Sequence, residues 1–227
     1  MVCCEYCLDP IVAGRDRVSA ADLLQKARDY LRRRHKKIGP ITDPDALADF
    51  IDTRASLVAQ TSLYGYIKTR AGTRFPELFE NEQFLVSINI AKWQIWAACV
   101  SDLAVFAGGL LYREVPETGR VRRVLQLAID PLLARTGQPP EAGEQFDAAL
   151  TRVKVRLAGA VFSEAGESEN AFTVSPEALV YWSPIVDELK VLDEAIVRNS
   201  IRFRWQEPRR ELREALQSTQ LMDSLGN

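Results

Sequence analysis

Histidine is almost missing from this chain: one residue, His35, in 227. A Ser-His-Asp or Cys-His arrangement would have to use it, and it stands inside a run of basic residues. Di-iron bundles place two Glu-x-x-His pairs on facing helices, which a single histidine cannot supply. The chain also lacks GxSxG, P-loop and GxGxxG motifs. Carboxylate or lysine chemistry stays open, because it leaves no signature here.

Cysteine is scarce and unevenly placed. Of four, Cys3, Cys4 and Cys7 crowd the N-terminus and Cys99 lies in a long apolar run. That is not the disulfide framework of a small secreted domain. Cys4-x-x-Cys7 could be half of a zinc site, but structural zinc wants four ligands and no second CxxC or His pair exists. A redox pair would want a βαβ context, which is also lacking. The reading is no metal and no cofactor, with reduced thiols in a cytoplasmic protein. The first ten residues have neither the basic start nor the apolar run of a signal peptide.

An excess of charge of one sign is lacking too. The net charge is −2, so overall basicity gives no reason to expect nucleic acid. One local exception is Arg32, Arg33, Arg34, His35, Lys36 and Lys37 in a row. Such a run can bind phosphate, but cations at a helix C-terminus complement its dipole, and that reading prevails. A second candidate is residues 66–74, where Tyr66, Lys68, Arg70 and Arg74 interleave aromatic and basic character. A helix end and its following loop account for them as well.

What the chain has in abundance is apolar helix. Residues 84–112 contain 21 apolar side chains out of 29 and no proline. As a helix this stretch would be about 43 Å long, apolar on nearly all sides, as befits a helix surrounded by others. Lys92 and Asp102 interrupt it, leaving uncharged runs too short to span a bilayer. No membrane span is expected. Ser87, Ala91, Gln94, Ala98, Ser101, Val105 and Gly108 form a narrow small-and-polar stripe, suited to close approach by a neighbouring helix.

Other helices are legible by periodicity and caps. One is expected from Ser19 to the basic run, with Leu23, Leu24, Ala27, Tyr30 and Leu31 on its apolar face. Another is expected from Pro44 to about Arg70, and a third from about Arg120 to Arg135, with Val121, Val124, Leu125, Leu127, Ala128 and Leu132 inward. Residues 152–157 alternate like a strand, but Phe146, Leu150, Val153, Leu157 and Ala160 keep helical spacing over a longer window, and helix is preferred. Residues 163–170 read as an acidic surface loop. From Pro184, the residues Ile185, Leu189, Leu192, Ile196, Asn199 and Phe203 recur at spacings of 4, 3, 4, 3, 4. That is a heptad seam with one polar member, expected to pack inside the chain, with a homodimer contact as the lesser reading. Pro208 bends or ends this helix.

The expectation is an all-α, single-domain bundle of about six or seven helices around 84–112. An irregular segment 1–18 precedes the helical domain 19–217, and 218–227 follows as a frayed tail. The first functional reading is a non-catalytic interaction or scaffold protein that self-associates as a homodimer or binds a protein partner. The rival is an enzyme or small-molecule binder with a polar pocket among the helices. A third reading is nucleic-acid or phosphate binding through Arg32–Lys37 and 66–74. The candidate ligand residues are the charges on apolar faces: Arg54, Lys92, Asp102 and Asp193. Such charges must pair or reach water, and Arg54 with Asp102 is the first pairing expected.

Overall fold

Asp43 accepts the amide of Ala46 at 2.8 Å, Pro44 takes the first helical position, and the chain enters a 28-residue helix. The computed structural model describes residues 39–166 and 169–224. The helix expected over 19–37, His35, the basic run and Cys3, Cys4 and Cys7 lie outside the described residues. Helix α1 is Pro44–Ala71, α2 Glu82–Glu114, α3 Thr118–Thr136 and α4 Phe146–Gly159. Helix α5 is Val174–Trp182, α6 Asp187–Arg204, α7 Gln206–Ala215 and α8 Ser218–Asp223. The fold is all-α: the described residues form seven helices of nine or more residues, the six-residue α8, and short 3-10 turns at the corners.

Helix α2 lies at the centre. Asn81 caps it by accepting the amide of Phe84, and it runs unbroken for 33 residues. By length and composition it could cross a membrane, yet 94% of its most apolar 18-residue window is buried within the bundle. Helices α1, α3, α4 and α5 all pack on it. Helix α4 lies over the small stripe. Arg152 donates to Gln94 at 3.3 Å and Arg156 to Ser101 at 3.1 Å, both stripe residues. Further along, Gly108 and Gly109 admit the chain that follows α4. A Cβ on Gly109 would stand 2.2 Å from the backbone nitrogen of Gly166, and one on Gly108 would stand 2.5 Å from the Phe162 ring. The start of the expected surface loop is thus held on the core helix at Ala165 and Gly166, both buried, while Ser163 and Glu164 face solvent.

Three further departures have physical causes. Leu127 points outward at the edge of α3, while Ile129 and Leu133 complete its buried face. The tail expected to fray from 218 instead forms α8, because Leu221 and Met222 are fully buried. The start of the chain's described part is clasped to its end, as Ile41 donates to the Ala215 carbonyl at 2.8 Å and accepts from Gln217 at 3.0 Å. The long helix expected from Pro184 begins instead at Asp187, and it ends at Arg204, ahead of Pro208 as expected. The chain bends at Trp205, whose indole is wholly buried, and Pro208 falls in the first turn of α7, where its missing N–H costs little.

Candidate functional site

The charges singled out on apolar faces do not gather into one site. The expected pairing of Arg54 with Asp102 does not occur, because each is claimed by a different helix. Arg54 on α1 is 8% exposed; its Nη2 donates to Glu211 Oε1 on α7 at 3.1 Å, and its Nε lies 2.6 Å from Oε2 as an ion contact without hydrogen-bond geometry. The guanidinium thus meets the carboxylate through one charge-assisted hydrogen bond and one ion contact, and it also sits 5.7 Å from the Phe50 ring centroid. Burial pushes the Glu211 carboxyl up, with Arg54 opposing that shift.

Asp102 is fully buried and every direction around it is occupied. Arg156 on α4 donates to Oδ1 at 2.5 Å, and the backbone amides of Val174 and Ser175 donate at 3.2 and 2.7 Å. Those amides belong to the first turn of α5, whose own N-cap Thr173 makes no side-chain cap bond. A carboxylate from α2 therefore caps α5 from across the core, where helix-end amides and dipole both favour an anion. Arg156 also donates to the Ala171 carbonyl at 2.7 Å, so it ties α4 to the segment entering α5. Trp205 completes the cluster by donating to Ser175 Oγ at 3.0 Å. Burial raises the Asp102 carboxyl above its ordinary range against the pull of Arg156 and the amides. Burial also lifts the Cys99 thiol well above its usual value, helped by the nearby Asp102 charge.

Asp193 turns inward from α6 and meets α1. It receives a forked pair of bonds from Arg70 and a 3.0 Å bond from the Tyr66 hydroxyl. Arg70 holds the Asp193 carboxyl below its ordinary value. Burial and then Asp193 push the Tyr66 phenol up to about 12. Two of the residues that gave 66–74 its look of a nucleic-acid segment are thus engaged within the fold, and Arg74 pairs with Glu77 at 3.2 Å. Lys92 is half-buried, its ammonium 5.3 Å from the Trp93 ring centroid. Arg54 and the Asp193 partner Arg70 are sixteen residues apart on α1, about 24 Å. Lys92 and Asp102 are ten apart on α2, about 15 Å. Arg32, Arg33, Arg34, Lys36 and Lys37 lie outside the described residues.

The surface carries two features. One is a cleft of about 560 Å³, lined by Leu110, Arg113 and Glu114 of α2, Arg213 of α7 and the turn at 216–220. The other is the outer face of α6. The heptad seam expected to pack inside the chain points the other way. Leu192 is 74% exposed, Ile196 73% and Phe203 70%, with Val191 beside them at 74%. The residues α6 does bury are Asp193, Val197 and Ile201. The reversal has a cause: the Asp193 pair with Arg70, and the approach of Arg204 to Gly65 on α1, turn that edge of the helix toward the bundle. Six of the eleven exposed large hydrophobic residues among the described residues fall between Tyr181 and Phe203.

Among the described residues, no three His, Cys, Asp or Glu side chains come together as a set that could hold a metal ion. Comparison with protein-family models, with curated protein sequences and with solved structures finds no match to this chain.

Proposed function

We propose that this chain is a non-catalytic helical interaction protein that works through the outer face of α6. One observation carries the reading: Leu192, Ile196 and Phe203 of the a/d seam, with Asn199 as its polar member, stand in solvent on a helix whose opposite edge, Asp193, Val197 and Ile201, is buried. Side chains this open, side by side, amount to an exposed apolar patch on the order of several hundred Å², the scale at which such patches mark interaction surfaces. Leaving them wet forgoes roughly 1.5–3 kcal/mol of burial for each large side chain. A partner that covers them recovers that free energy.

The test is a photo-reactive residue placed in the full chain at Leu192 or Ile196, with Val86 and Leu127, exposed on other faces, as controls. The expected result is a protein adduct of defined mass from positions 192 and 196 and none from the controls. The same adducts from all four positions, or none from any, would remove the proposal.

A further inference from the structure

The outer face of α6 is complementary to itself when one copy is turned end for end. We infer that its occupant is a second copy of this chain, lying antiparallel across it, with Leu192 against the partner's Ile196. The inference rests on the reading of that face as an interface and adds the partner and the register.

Take Leu192 and Asn199 as one line of the seam on α6 and Leu189, Ile196 and Phe203 as the other, with Ile185 in the turn before the helix. In an antiparallel pair these lines face each other about a two-fold axis that passes near residue 194. Leu192 and the partner's Ile196 then meet twice, once on each side of the axis, and form the centre of the contact. These are two of the most open apolar side chains on the molecule. Toward the ends, Leu189, half-covered by its own chain, meets the open Asn199, and the open Phe203 reaches the turn that precedes the partner's helix. The contact is isologous, so it closes after two copies and leads to no open polymer.

Charge selects the orientation. The first turn of α6 is acidic, with Asp187 and Glu188, and its last turn is basic, with Arg202 and Arg204. Glu188 and Arg202 both flank the seam on the same side, one residue before Leu189 and Phe203. An antiparallel pair sets Glu188 beside the partner's Arg202 twice, and it opposes the two helix dipoles. A parallel pair sets acidic end on acidic end and basic end on basic end. Flanking charges of this kind fix partner orientation in paired helices. The contact is small. An 18-residue helix is about 27 Å long, and the area falls short of a standard interface of about 800 Å² per partner. The dimer is therefore weak and dissociates on dilution.

The experiment uses the full chain with Cys3, Cys4 and Cys7 replaced by Ser, leaving the buried Cys99. Leu192→Cys and Ile196→Cys are made separately, mixed and oxidised. The expected product is a disulfide between the two variants, formed faster than either variant links to itself. Preferential self-linking of Leu192→Cys marks a parallel pair and overturns the inference. Sedimentation of the unmodified chain across a concentration series should show monomer and dimer in exchange. Glu188→Arg and Arg202→Glu should each weaken the dimer about tenfold, since each creates two like-charge contacts, and the double exchange should restore it. A chain that stays monomeric at every concentration overturns the inference. So does a photo-crosslink from position 192 that lands on residues 1–38 of the same chain. A crosslink to a different protein overturns it too, yet leaves the interface reading standing, so the two failures are told apart.

Discussion

Along α2 an acid in the middle of the helix, Asp102, is wholly covered, and α4 and α5 supply its hydrogen-bond donors. Along α6 four large apolar side chains stand in water, while an acid, Asp193, is turned inward beside Val197 and Ile201. The two helices reverse the usual assignment of polar and apolar faces for different reasons. In α2 the surrounding helices close over the charge, which is matched in place by Arg156 and the amides of α5. In α6 one strong polar anchor, the Arg70–Tyr66–Asp193 set, fixes the rotation of the helix and leaves its apolar seam outside. A buried charge decides geometry in both, but only in α6 does the decision leave a surface unsatisfied.

The comparison can be broken in order of expected effect. Arg156→Met strands Asp102 in the core and should lower stability by about 3–5 kcal/mol at neutral pH, read by urea unfolding. The pH dependence has a defined sign. The Asp102 carboxyl already lies above its ordinary value in the folded chain, so its contribution to stability declines as pH rises from that ordinary value through the folded one. Without Arg156 the folded value rises further, and the deficit should shrink on acidification as Asp102 takes up a proton. A loss independent of pH would mean that Asp102 is not the group left stranded.

The second experiment compares two faces of one helix. Ile201→Ala on the buried side of α6 should cost about 2–5 kcal/mol. Leu192→Ala on the open side should stay within about 0.5 kcal/mol in dilute solution. Equal losses would place the seam inside the fold, as its spacing alone suggests. A double-mutant cycle with Arg54→Met and Glu211→Gln should then show a coupling of about 0.5–3 kcal/mol, whereas Arg54→Met and Asp102→Asn should add within about 0.5 kcal/mol. The smallest effect is spectroscopic. Asp193→Asn should lower the Tyr66 phenol from about 12 while leaving it above the ordinary 10, since burial remains. In the unmodified chain stability should fall as pH rises between those two values, because the unfolded tyrosine ionises first. It should also fall as acid protonates Asp193, whose folded value is depressed.

Much of the fold was legible in the sequence because helix periodicity and caps are local. Pro44 after Asp43, the apolar stretch around Trp96, and the long-window spacing of Phe146, Val153 and Leu157 each marked a helix that is present. The small stripe with Gln94 and Ser101 pointed to a close neighbour, and α4 is that neighbour. Pairing was not legible. Arg54 and Asp102 were each marked as charges needing partners, but nothing in either residue's surroundings names Glu211 or Arg156, which come from 157 and 54 positions away. One weak signal existed. Arg152 and Arg156 are spaced by one helical turn on α4 and so share a face, although Gln94 and Ser101, which they reach, lie two turns apart on α2. The outward turn of the α6 seam was unreadable because it depends on where α1 presents Arg70, a tertiary fact. Hydrophobic period gives the width of an apolar stripe and not the side on which the bundle lies.

The clasp at Ile41 has a kinetic consequence. Ile41 and Leu216 are 175 positions apart, and their bridge can form only after the intervening helices have brought the ends together. Closing so long a loop is entropically costly on its own, so these two hydrogen bonds belong to the last stage of folding and the first stage of opening. The beginning of α1 and the end of α7 therefore loosen as one unit. Amide exchange at Ile41 and Gln217 should report the same opening event, well before the core around Asp102 gives way.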